Sequence, residues 1–173
     1  PTVESLAAVL ANPASPDAER RMAAIKLGEA EAIPEVIDAL IVGLADSEET
    51  VRSIVILSLL EHAEHEHTQQ AIMGLNTRLV EGGYTFEKIP AIRALTAIGT
   101  TGQGNSVALA ALNAALGDPR LAEDMPADQA TSLKERITVA MNRIDEKLNA
   151  VIPESGQIQA PAESETEEAQ AAQ

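Results

Sequence analysis

A chain of 173 residues is long enough for one domain with a sizeable core. Its 27 Asp and Glu against 12 Lys and Arg give a formal net charge of −15, and aromatic residues make up 1% of the chain. Nucleic-acid binding needs a cationic footprint and usually stacking aromatics, so nucleic acid is excluded as a partner. An anionic membrane surface is excluded on the same grounds of charge.

Cysteine is absent, which rules out disulfides, thiolate metal sites and Cys nucleophiles. No apolar run reaches the roughly 18 residues a membrane span requires. The chain opens on Pro-Thr with no signal peptide in view, and the expectation is a cytoplasmic protein. Its apolar residues are almost all Ala, Leu, Ile and Val, a set that suits close helix-on-helix packing.

Taken in order, Thr2 caps a helix to about Ala11, with Val3, Leu6, Val9 and Leu10 on one face. Asn12-Pro13 stops it, and Ser15-Pro16-Asp17 starts a second helix that runs to about Glu29. Pro34 opens a third helix, with Ile37, Leu40, Ile41 and Leu44 as its stripe. Asp46, with Glu49 three positions on, resembles a capping box for a fourth helix bearing Val51, Ile54, Val55, Leu57, Leu59 and Leu60.

A fifth helix begins near Thr68 and ends at Gly82-Gly83. Thr85 introduces a sixth, with Pro90 in its first turn, where a missing N–H costs least. Asn105 or Ser106 caps a seventh, closed by Gly117-Asp118-Pro119. The last helix carries the cleanest periodicity, Ala130, Leu133, Ile137, Met141, Ile144, Leu148 and Val151. Beyond Ile152 the composition changes: Glu154 to Gln173 holds five Glu and no Lys or Arg. The domain reading is therefore 1–152 folded and 153–173 a disordered acidic tail.

The helix from Arg20 through Leu27-Gly28 aligns with Arg52 through Leu59-Leu60 and with Ala91 through Ile98-Gly99. Unequal spacing is expected where loops vary and packed helices do not. The prediction is an all-α array of four stacked helix pairs, each burying its stripe against its neighbours.

On Pro34, Leu40, Leu44, Asp46, Val51, Arg52, Leu57 and Leu60, the second pair resembles a HEAT repeat. It is more narrowly similar to the short bacterial HEAT-like repeats of phycobilisome lyases. The resemblance implies a right-handed α-solenoid (superhelix) of about four HEAT-like repeats, with second helices lining a concave docking surface. It also implies that Asp46 and the Val51-Arg52 pair tie the two helices of a repeat together. The function implied is a non-catalytic protein-binding scaffold or adaptor, with no cofactor and a protein partner. The alternative it carries is a phycobilin lyase or chromophore-handling subunit.

Arg93, Lys88 and Arg136 fall on second helices and are partner-contact candidates, with Tyr84 as a candidate aromatic anchor. Phe86 is expected to plug the core at the start of its helix. His62, His65 and His67 lie within six positions among glutamates, a density that could hold zinc or nickel in a metal-binding regulator. The simpler expectation for them is a solvated turn between pairs. The glycines of 99–104 lack the Lys and the preceding strand of a phosphate-binding loop.

Overall fold

The computed structural model describes residues 1–150; Val151 and the acidic segment 153–173 of the sequence reading lie outside the described residues. Those described are 78% helical and form no strand. Eight α-helices follow one another: α1 (Val3–Ala11), α2 (Asp17–Glu29), α3 (Pro34–Gly43), α4 (Glu49–Glu61), α5 (Ile72–Glu81), α6 (Ile89–Thr100), α7 (Ser106–Gly117) and α8 (Ala127–Asn149). Their ends follow local chemistry. Thr2 accepts the Ser5 N–H at 3.1 Å to start α1, and Asn105 accepts the N–H groups of Val107 and Ala108 to start α7. Pro34 sits in the first turn of α3, where no backbone donor is lost.

Consecutive helices pack as pairs, and the pairs join in two layers. α2 touches α4, α4 touches α6 and α6 touches α8. On the other side α1 meets α3, α5 meets α7, and α3 meets the 3-10 turn Glu66–Ala71 that leads into α5. The aligned positions Leu27, Leu59 and Ile98 are all buried, which places the sequence repeat on equivalent core sites. In α8 the predicted stripe faces inward through Leu133, Ile137 and Ile144.

Small residues set the spacing of the second layer. Ala23 and Ala24 are buried on α2, and Ala91 and Ala94 on α6. Ser58 donates to the Ala24 carbonyl at 2.9 Å, pinning α4 to α2. A Cβ at Gly28 would lie 2.7 Å from Ser58 Oγ and 3.1 Å from its Cα, so the glycine permits this contact. Gly28→Ala is accordingly expected to lower stability by about 1–2 kcal/mol in chemical denaturation. The overpacking cost exceeds the gain of about 1 kcal/mol in helix propensity. An unchanged or raised stability would show that the two helices can part without loss.

The turns between paired helices carry a chain of ion pairs that links one pair to the next. Arg20, at the start of α2, donates to the Ser15 carbonyl of its own turn. It also grips Asp46 in the next turn with two bonds, of 2.7 and 3.0 Å. Arg52 repeats the arrangement one pair later. It donates to the Asp46 and Ser47 carbonyls at 2.8 and 3.0 Å and to Glu87 at 2.7 and 3.2 Å.

This corrects the expectation for Asp46 and Arg52. Arg52 does tie its own turn, but through backbone oxygens, because the Asp46 carboxylate is already engaged by the preceding pair. Nor does Asp46 complete a capping box: its Oδ1 accepts the Glu48 N–H at 2.9 Å, two residues on, and α4 starts without a side-chain cap. At the third aligned position Ala91 replaces the arginine, and Lys88, one turn earlier, serves instead. Its ammonium donates to the Leu79 and Val80 carbonyls that end α5.

Candidate functional site

The 0, 3, 4, 7 spacing of Arg93, Thr96, Ala97 and Thr100 on α6 is repeated by Arg136, Val139, Ala140 and Arg143 on α8. Such spacing places four side chains on one helix face. The two stripes line a single groove of about 410 Å³, closed below by Leu60 of α4 with Ile89 and Ile92 of α6. Among the described residues its lining contains three arginines and no carboxylate. The Thr96 and Thr100 hydroxyls donate back to Ile92 and Thr96 carbonyls at 2.6 and 2.8 Å. The donors left to a ligand are thus the guanidiniums, each with five N–H groups.

A second hollow, of about 460 Å³, lies on the same layer between α2 and α4. Ile25, Ile54 and Leu57 line it, with Glu29 and Glu61 at its rim. Leu57 is 41% exposed and Met22, also on α2, 51%. The second-helix surface is therefore apolar toward one end and apolar with a cationic rim toward the other.

The structure brings together Arg93 and Arg136, two of the predicted contact residues, and adds Arg143. Sequence reasoning missed Arg143, although its position seven residues after Arg136 was the available signal. Lys88 is not on this surface. It is 5% exposed, and burial pushes its ammonium pKa down against the opposing pull of Glu87, Asp118 and Glu81.

The two aromatics exchange their expected places. Tyr84 is half-buried and packs against the core, whereas Phe86 is 63% exposed. The cause is a π-helical turn, Tyr84–Lys88, that precedes α6. It directs Glu87 and Lys88 inward to their hydrogen-bond partners and leaves Phe86 facing out.

The three histidines do not converge. His62 is buried and its Nε2 donates to the Leu27 carbonyl at 2.9 Å. His65 Nδ1 accepts the His67 N–H at 3.2 Å, and His67 Nε2 meets Asp38 of α3 at 2.8 Å. Among the described residues no group of three or more His, Asp or Glu is gathered as a metal would need. The turn is also less solvated than expected: Thr68 is fully buried and donates to the His62 carbonyl at 2.6 Å. No helix among the described residues is long and apolar enough to cross a membrane. In comparisons with protein-family models, curated proteins and solved structures, nothing matched the chain.

Proposed function

We propose that this protein is a non-catalytic adaptor: a short right-handed, HEAT-like solenoid of four repeats. It holds a partner protein on the concave face made by its second helices. The observation that supports this reading is the surface of α2, α4, α6 and α8. Of two hollows there, one exposes Ile25 and Leu57 and the other Val139 beside Arg93, Arg136 and Arg143. Exposed aliphatic side chains next to arginines are the composition of protein-binding patches, where buried apolar area supplies affinity and arginines supply orientation. The Arg20–Asp46 and Arg52–Glu87 pairs hold successive repeats in fixed relation, so the face is preformed and loses little entropy on binding.

Affinity capture from the native host tests this. A partner retained by the parent chain is expected to be lost with Leu57→Asp, which places a charge in the apolar hollow without touching the buried core. Capture of the same proteins by the parent, by Leu57→Asp and by a variant of the three groove arginines would end the adaptor reading for this face.

A further inference from the structure

We infer that the groove between α6 and α8 receives an acidic, amphipathic segment of the partner protein. Its carboxylates meet Arg93, Arg136 and Arg143, and an apolar side chain rests between them on the floor. The inference rests on the adaptor reading and names the chemistry of the segment bound.

The arginine inventory carries it. Of the eight arginines in the chain, Arg20, Arg21, Arg52, Arg78 and Arg120 pair with carboxylates. The other three pair with none among the described residues, and all three line this one groove. In a chain with 27 acidic residues, the groove walls contain no Asp or Glu from among the described residues. A cationic trough on an acidic molecule concentrates attraction at one place and repels polyanions elsewhere.

Geometry narrows the occupant further. Arg136 and Arg143 are two helical turns apart, about 10 Å along α8, and Arg93 faces them from α6. Carboxylates seven residues apart on a helix, or three apart in an extended strand, match that separation. Each carboxylate can accept two parallel N–H bonds from a guanidinium. The floor of Leu60, Ile92, Ala97 and Ala140 is aliphatic, which suits a Leu- or Val-sized side chain. It offers no aromatic surface on which nucleobases would stack.

The test uses the full chain and labelled helical peptides of about 15 residues. One has Glu at positions matching the arginines with Leu between them; its counterpart has Gln for every Glu. In fluorescence anisotropy the Glu peptide is expected to bind at least about tenfold tighter than the Gln peptide and to weaken as salt is raised. The combined Arg93→Gln, Arg136→Gln and Arg143→Gln variant is expected to lose about tenfold or more of that affinity. Arg21→Gln, outside the groove, leaves it unchanged.

Equal binding of the Glu and Gln peptides, or unchanged binding by the triple variant, overturns the inference. So does displacement of the Glu peptide by poly(U) RNA at equal charge concentration. The chain's own 153–173 supplies a further outcome. If replacing its five Glu with Gln tightens peptide binding tenfold or more, that segment is the occupant and the partner assignment falls. A captured partner that is lost with Leu57→Asp but kept by the triple arginine variant would leave the adaptor reading standing and remove this one.

Discussion

Glu87→Gln is expected to destabilise the fold by about 3 kcal/mol at neutral pH, the cost of removing one partner from a buried ion pair. The Glu87 side chain is 1% exposed, against 16% for Arg52. Besides the two bonds from Arg52 it accepts the Gly83 N–H at 3.0 Å and one Arg78 N–H at 3.4 Å. Burial alone pushes this carboxyl pKa up. The Arg52 hydrogen bond, the Gly83 N–H and the charges of Arg52 and Arg78 together outweigh it and hold the pKa below the usual carboxylate range. Asp46 behaves alike: burial raises it, and Arg20, the Glu48 N–H and the charge of Arg52 bring it down.

A carboxyl whose folded pKa is depressed adds stability that is present above its unfolded value, and that is lost as pH falls through its folded value. Both contributions are therefore complete above about pH 5 and fade below it. Acidification also relieves the repulsion of a −15 chain, so the telling quantity is the gap between parent and Glu87→Gln. In urea unfolding at a series of pH values the gap is expected to narrow as the solution becomes acid. A gap that stays constant from neutral pH downward would show that Glu87 acts through packing and not through its charge.

Leu59→Ala is the second large effect, a loss of about 3–4 kcal/mol. Leu59 is fully buried in α4, the helix that touches both α2 and α6. In an array stabilised by nearest-neighbour contacts, a weakened central unit separates the units on either side of it. Hydrogen exchange is expected to show lost protection in α2 and α6 as well as in α4. A stability change below about 1 kcal/mol, or loss of protection confined to α4, would mean that neighbouring pairs hold together independently of this contact.

Much of the architecture was legible from short-range patterns. Pro34, Asn105 and the 3.6-residue stripes placed helix starts and most of the buried faces, because caps and periodicity act within a few residues; Leu57, expected in the α4 stripe, is instead 41% exposed. The alignment of Leu27, Leu59 and Ile98 anticipated equivalent core positions for the same reason. The errors cluster where a side chain chooses among partners far away in sequence. Asp46 satisfies Arg20, 26 residues before it. His62 reaches Leu27, 35 residues before it, and Glu87, turned inward in the π-helical segment, meets Arg52, 35 residues before it. No local pattern encodes those pairings.

The groove shows the same division. Arg136 and Arg143 share a face by spacing alone, so half of the site could be drawn from α8 in isolation. That Arg93 stands opposite them, that Lys88 turns inward to the end of α5, and that no carboxylate of the described residues enters the trough depend on how α6 and α8 pack. Residue order by itself determined that this chain is a series of helix pairs and which faces they bury, because helix periodicity and capping are local. Only the tertiary structure decided which charges neutralise one another and which stay unpaired among the described residues, because an ion pair forms wherever folding brings its two groups within reach.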